Sequence, residues 1–398
     1  MSQGPVIASI DSLPDRYVPD AAQLLDIRFR INVGRCSRDV VVTPQTCHVE
    51  SPSGRPDAEI CTSVSAWLEM DAGRLSGIEA FGEKKLTLRG SIQKALLFEP
   101  LFERPHAGGL RYTVERVMVG KVGVSTLIAG DPEAPPVVLV HGLGATKASM
   151  LPIVPHLARH HRVYALDLPG FGASSKPRGR YDAGWFAGYV FAWMEELGLD
   201  HAGFVGNSMG GRIIQEMAMA DSDSVDGIAC LCPATAFSRR PALWLAKMLR
   251  PELGFAVNRI PRKRIISGLK DLFADPGRVD ESWYEAATDD FLKTWKSPRA
   301  RMAFFAAARQ IYLEEPDGDA GFFARLALLD VAAFYIYGRQ DVLITPHFGN
   351  KVGSVLPAAQ VEVWEDCGHA PQVEHPERVA EKLLGFFGTR SEDLAIAR

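Results

Sequence analysis

Two hydrophobic rhythms divide this chain. From Ala21 to about Arg104 apolar and polar positions alternate in short runs, most clearly in Ile27-Arg-Phe-Arg-Ile-Asn-Val33. A period of two predicts strands with one face on a core and the other in water. Residues 40–42, 46–50, 57–63 and 86–90 extend that rhythm, whereas 64–70 and 91–102 read as helices. The first strands predict an antiparallel sheet with one wet face, and the whole stretch a small α+β domain. Arg104-Pro-His-Ala-Gly-Gly109 then punctuates the chain and the rhythm changes. Residues 112–117 and 122–129 still alternate, as a leading hairpin. Thereafter the apolar runs are nearly continuous, at 136–140, 162–167, 202–205, 227–231, 332–337 and 361–364. Such runs belong to parallel strands covered on both faces. A parallel α/β sheet follows, closed by an amphipathic helix from Pro376 to Phe387.

Between Pro233 and about Ala324 the strand spacing fails for roughly 90 residues, too long for a crossover loop. The stretch is rich in helix formers and aromatics, including Trp244, Trp283, Tyr284, Trp295, Phe304, Phe305 and Tyr312. It predicts a helical cap at about 233–324.

Candidate chemistry begins where the strand at 202–205 runs into Gly206-Asn207-Ser208-Met209-Gly210-Gly211-Arg212, followed by helix formers. Gly-x-Ser-x-Gly between a strand and a helix is a nucleophile elbow. The turn strains the serine backbone, and only glycine at Gly206 and Gly210 lets strand and helix approach closely enough. Upstream, 136–140 stops at His141-Gly142-Leu143-Gly144, and 162–167 runs into Leu168-Pro-Gly-Phe-Gly-Ala-Ser174. Segments in this order resemble the α/β-hydrolase superfamily from about Gly109 to Gly388.

The resemblance implies a Ser-Asp-His chain order. Serine needs a neighbouring base, and the base a carboxylate to hold its tautomer. His369, in the turn after the last strand, fills the first role, and Asp341, in the loop after 332–337, fills the second. Asp330 precedes its strand and falls at the opposite edge, while His375, next to Pro376, reads as a packing or capping residue. The backbone N–H groups of Leu143 and Met209 would hold the oxyanion, each such donor being worth about 3 kcal/mol. Gly142 opens that loop. In this family's motif a histidine at the position of His141 braces the loop.

The N-terminal stretch resembles a sterol carrier protein type 2 domain. The resemblance rests on Pro56-Asp-Ala-Glu-Ile60, Ala66-Trp-Leu68, Gly73-Arg-Leu-Ser-Gly-Ile-Glu-Ala-Phe81 and Lys85-Leu-Thr-Leu-Arg-Gly90. It implies a sheet under helices around an apolar tunnel for lipids. The expected organisation is a sterol-carrier-like domain over 15–105 and a hydrolase domain over 108–398.

Composition narrows the function classes. The formal charge of −4 gives no footprint for nucleic acid. Arg239, Arg240, Arg250, Arg262, Lys263 and Arg264 could touch an acidic membrane surface, but in an acidic chain a solvated helix face is the simpler reading. The six cysteines show no metal-ligand spacing and no disulfide framework, which reads as reduced thiols in the cytoplasm. No export signal, membrane span, metal or cofactor is expected. The reading is a serine hydrolase of a carboxylic ester or related acyl bond in a hydrophobic small-molecule or lipid substrate. One alternative is a carbon–carbon hydrolase of the ring-cleavage-product type, favoured by Gly206-Asn-Ser-Met-Gly-Gly211 but lacking that group's Gly-Pro-Gly loop and the Trp after the histidine. Another is a lipid carrier with a non-catalytic hydrolase domain. Perhydrolase chemistry could use the same triad, whereas a carboxylate nucleophile is excluded at Ser208.

Overall fold

The computed structural model describes residues 4–22, 26–234, 250–255 and 259–396. Trp244, Arg239 and Arg240 of the expected cap lie outside the described residues. The chain forms two compact units. One is Met1–Val114 with Asp280–Lys293, and the other Glu115–Val279 with Thr294–Arg398.

The first unit carries a five-stranded sheet in the order β3-β2-β1-β4-β5. Its strands are β1 (Ile27–Val33), β2 (Cys36–Val42), β3 (Cys47–Glu50), β4 (Ala58–Thr62) and β5 (Leu86–Gly90). β1 to β3 pair antiparallel, as alternation predicts, but β4 runs parallel to β1. Alternation reports which face is buried and is silent on strand direction, so the mixed sheet departs from the antiparallel expectation there.

Ile27, Phe29, Ile31 and Val33 are buried on one face of β1. On the other, Arg30 Nε and Arg28 Nη1 meet the buried Asp39 carboxylate at 2.8 and 3.0 Å. The apolar side packs against helical turns at Gly4–Asp11, Gly77–Gly82 and Ile92–Ala95, and the helix Val64–Asp71 begins at the N-cap Ser63, which accepts from Ala66 N–H. Such a cap contributes about 1 kcal/mol. Trp67 of this helix is buried, with Nε1 donating to Ser9 Oγ at 3.0 Å, and Phe98 packs edge-on to Phe29. The helix expected over 91–102 is instead a short turn at Ile92–Ala95 and a tighter one at Glu99–Leu101. Pro100 has no N–H to continue the ladder.

The long insertion is helical but divided. Glu281–Trp295 belongs through Lys293 to the first unit, whereas Arg262–Lys270, Pro298–Leu313 and Phe322–Leu326 belong to the second. The cause is local: Asp289 Oδ2 accepts from Gly90 N–H at 3.1 Å, and Asp290 Oδ1 from Ser91 Oγ at 3.0 Å. Tyr284, Ala286, Thr288 and Asp290 are all buried.

The second unit is built on an eight-stranded sheet in the order β13-β12-β11-β10-β8-β9-β7-β6. These are β6 (Tyr112–Val119), β7 (Val122–Ala129), β8 (Pro136–Val140), β9 (Arg162–Leu166), β10 (Ala202–Asn207), β11 (Val225–Leu231), β12 (Ala333–Gly338) and β13 (Gln360–Trp364). All pairings from β9 through β13 are parallel, and β7 joins β9 antiparallel. The near-continuous apolar runs are buried end to end in β10 and β12, because helices such as Ala183–Glu196 and Met209–Ala220 cover the sheet. Strand register brings Val140, Gly206, Leu231 and Ile336 to one edge, so the loops that follow converge.

Candidate active site

Ser208 stands between β10 and the helix Met209–Ala220 with φ 53° and ψ −117°. A non-glycine residue there costs on the order of 1–3 kcal/mol and persists only if its surroundings enforce it. They do. Ser208 N–H donates to Leu231 O at 2.9 Å, and Ser208 O accepts from Ala234 N–H at 2.9 Å and Arg212 N–H at 3.1 Å. A Cβ on Gly206 would stand 2.5 Å from the Gly210 carbonyl carbon, and one on Gly210 would stand 2.2 Å from Val140 O. Both glycines are therefore fixed by backbone approach. Gly142 lies just across, where a Cβ would come within 3.2 Å of Ser208 Cβ. Thus Ser208, Gly142 and the buried Met209 share one corner with Leu143, the next residue of the loop.

Asp341 and His369 meet at the same edge. His369 Nδ1 lies 2.7 Å from Asp341 Oδ2, and both residues are buried. Asp341 Oδ1 accepts from the N–H groups of Leu343 and Ile344 at 2.7 and 2.8 Å. Since an ionised carboxylate only accepts, Nδ1 is the donor of this bond, which in the neutral ring leaves Nε2 as the acceptor nitrogen. Asn207, beside Ser208, donates through Nδ2 to His369 O and Leu231 O, each at 3.0 Å, and so ties the elbow strand to the histidine loop. His369 N–H donates to Leu272 O at 2.6 Å, which anchors that loop to the insertion.

The other histidines are differently engaged. His141 is fully buried, with Nδ1 2.7 Å from Gly142 O and Nε2 accepting from Leu168 N–H at 3.0 Å. Burial pushes its pKa below the ordinary value, against the pull of Asp167. A neutral ring with both nitrogens spent on main chain braces the loop. His375 packs against Trp364, with Nε2 2.8 Å from Asp366 O. Asp330 is exposed ahead of β12.

Three features here have no local sequence signature. Lys147 Nζ and Asp167 Oδ2 form a buried pair at 2.8 Å, and Asp167 Oδ1 accepts from Lys147 N–H at 2.7 Å. Burial raises the Asp167 pKa, but Lys147 and His141 outweigh it and hold the carboxyl below its ordinary value. The pair clamps the Leu143 loop to the loop after β9. Glu374 accepts from Gly368 N–H and Asp275 N–H, each at 2.8 Å. Cys232, at φ 46°, has its sulfur among the Asp341 and His369 donor atoms, all within 4.8 Å of one another. That trio contains metal-ligand types, but both Asp341 oxygens already accept from N–H groups, so the atoms are arranged as a hydrogen-bond chain. Cys367, Glu374 and His375 form a second such group, whose Glu374 oxygens are likewise occupied. No helix among the described residues is long and apolar enough to cross a membrane.

Comparison with known proteins places both parts of the chain in known families. Residues 137–382 match the sequence model of the alpha/beta hydrolase family, and 15–103 match that of the SCP-2 sterol transfer family. The chain is 26% identical over 287 residues to a 2-hydroxy-6-oxo-6-(2'-aminophenyl)hexa-2,4-dienoic acid hydrolase of Metapseudomonas resinovorans, covering 70% of this chain and 92% of that protein. It is also 26% identical over 261 residues to a pimeloyl-[acyl-carrier protein] methyl ester esterase of Aeromonas hydrophila, covering 64% and 96%. Among solved structures, a bacterial membrane phospholipase A superposes with a TM-score of 0.59 at 25% identity, over 71% of this chain and 87% of that one.

Proposed function

This chain belongs to the alpha/beta hydrolase family, and from that premise we propose that it is a serine hydrolase cleaving a carboxylic ester or related acyl bond of a hydrophobic substrate. The observation that carries the reading is the buried Asp341–His369 hydrogen bond at the sheet edge where Ser208 is held strained.

In this reading His369 Nε2 takes the Ser208 Oγ proton as Oγ attacks the acyl carbon. Asp341 keeps the imidazole in the tautomer that can do so and stabilises the imidazolium formed. The Leu143 and Met209 N–H groups receive the developing oxyanion. His369 then returns the proton to the leaving oxygen, water enters by the same base catalysis, and the acyl-enzyme is hydrolysed. No metal or cofactor takes part in these steps.

The SCP-2 match over 15–103 and the likeness to a phospholipase A favour a lipidic or bulky apolar substrate, with the N-terminal unit as an apolar-ligand binder. The second reading, carbon–carbon hydrolysis, draws on the likeness to the dienoic acid hydrolase. Against it stand Gly144-Ala145-Thr146, in place of that group's oxyanion loop, and Ala370 after the histidine. A panel of acyl esters beside a 2-hydroxy-6-oxo-dienoate separates the two. The proposal expects saturable ester turnover that Ser208→Ala abolishes, and it fails if only the dienoate is cleaved.

A further inference from the structure

The insertion meets the loop of His369 through main chain as well as side chains. After the helix Arg262–Lys270 the sequence Asp271-Leu-Phe-Ala-Asp-Pro-Gly-Arg278 carries an Asp-Pro-Gly turn signal. The turn forms: Asp275 Oδ1 accepts from Gly277 N–H at 2.9 Å, and Pro276–Arg278 is one tight helical turn. It brings Arg278 back against the loop from Asp366 to His375.

The seam between segment and loop has several fixed points, all within the second unit. Leu272 O accepts from His369 N–H at 2.6 Å. A Cβ on Gly368 would stand 2.2 Å from the same oxygen, so only glycine lets the two main chains approach this closely. Glu374 is buried and spans the seam, with Oε2 accepting from Gly368 N–H and Oε1 from Asp275 N–H, each at 2.8 Å. Arg278 closes it. Its Nη1 donates to Asp366 O at 2.8 Å and lies 2.8 Å from His375 Nε2. The same nitrogen lies 3.9 Å from Glu374 Oε1, so the buried carboxylate faces a positive charge, and Nη2 lies 3.3 Å from Asp366 Oδ2.

On the other side, His369 O accepts from Asn207 Nδ2 at 3.0 Å. The His369 backbone is therefore held from two directions, its carbonyl by the elbow strand and its N–H by the insertion. Those two bonds fix the point from which the imidazole reaches Asp341. The Arg278–Asp366 pair is partly exposed and as an ion pair contributes little to stability. Its leverage is geometric, because it grips the loop three residues before His369 and also faces the carboxylate that holds the Gly368 peptide.

We infer that Arg278 is a positioning residue for the proposed reaction, acting through Glu374 and the main chain from Asp366 to Gly368 to keep the His369 imidazole directed at Ser208. The insertion then takes part in setting up the base, which is fully effective only with the segment from Leu272 to Arg278 seated. The inference rests on the reading of His369 as the base for Ser208 and adds what sets its direction.

The test measures two rates on the full chain: turnover of p-nitrophenyl acetate, whose small acyl group makes little demand on binding, and labelling by a fluorophosphonate. A misplacement of about 1 Å can cost a hundredfold, so losing one of several restraints in Arg278→Gln should lower kcat and the labelling rate about tenfold, with KM within about twofold. Arg278→Lys keeps the charge without the two-pronged reach and should recover part of the loss. Glu374→Gln replaces an acceptor oxygen by a donor and should lower the same two rates. All assays run below the thermal transition of each variant, where a merely structural role would leave both rates unchanged. Rates for Arg278→Gln within about twofold of wild type, or a loss carried by KM alone, overturn this inference, and Ser208-dependent wild-type turnover then leaves the serine-hydrolase reading standing. A wild-type chain without Ser208-dependent turnover or labelling overturns both. Should Arg278→Gln fail to fold, Glu374→Gln is judged by the same criteria.

Discussion

The two sheets of this protein do different work with the same strand chemistry. In the eight-stranded sheet, parallel strands stop in register and hand their loops to one edge, so Ser208, Asp341, His369 and the Leu143 loop arrive together from segments far apart in the chain. In the five-stranded sheet the alternation Ile27, Phe29, Ile31, Val33 gives a greasy face beneath helices and a face crossed by the Arg28, Arg30 and Asp39 ion pairs. No comparable convergence of nucleophile, base and acid is found there among the described residues. Parallel topology concentrates chemistry at strand ends, whereas the mixed sheet offers area. That contrast is the ground on which turnover is proposed for one unit and apolar binding for the other.

The comparison breaks most sharply at Ser208. Ser208→Ala should lower ester turnover by about 10⁴-fold or more, because the triad acts as a unit. Steady-state kinetics with the thermal transition unchanged would check it, and activity within tenfold of wild type would remove Ser208 from the chemistry. Asp341→Asn should come next, at about 10⁴-fold in kcat, because an amide at Oδ2 could donate to Nδ1 and favour the wrong tautomer. Rate measurements across pH should show the loss undiminished at high pH.

A smaller effect should come from the helix Glu281–Trp295, which belongs through Lys293 to the first unit. Asp290→Ala removes the acceptor for Ser91 Oγ and should cost the first unit about 1–3 kcal/mol. Consistent with this, a fragment ending at Val114 should melt well below the same unit in the full chain, because it lacks Asp280–Lys293. Differential scanning calorimetry of both would show it, and equal transitions would make the helix dispensable.

The smallest effect expected is a pH dependence in the second unit. Burial holds the pKa values of His141 and His161 below the ordinary 6.5, so the folded chain binds these protons less readily than the unfolded chain. Stability is therefore complete above about pH 6.5 and falls as pH drops below it towards the folded-state values. The transition temperature should decline between pH 7 and 5, before the low-pKa Asp167 contributes. A flat profile over that window would contradict the neutral brace role of His141.

Much of the site was legible because its elements are local. Gly206-x-Ser208-x-Gly210 encodes its own strained turn, and the apolar runs before His141, Asp341 and His369 fix which edge they reach. The Asp39 ion pairs and the Lys147–Asp167 clamp were not legible, since a buried pair between distant residues leaves no periodic trace. Strand direction in the first unit was hidden for the same reason that its burial was plain: alternation encodes faces and not partners. The division of the insertion turns on two aspartates in a helix, Asp289 and Asp290, whose partners Gly90 and Ser91 lie 199 residues away and leave no local trace in the sequence.

The central claim is that Ser208 is a nucleophile activated by His369. It is tested most directly by treating the full chain with a fluorophosphonate and mapping the adduct by peptide mass spectrometry. The account predicts a single adduct on Ser208, slowed by at least about a hundredfold in His369→Ala, and therefore dependent on the base as well as the serine. Labelling elsewhere, or equal labelling of Ser208 in that variant, would contradict it.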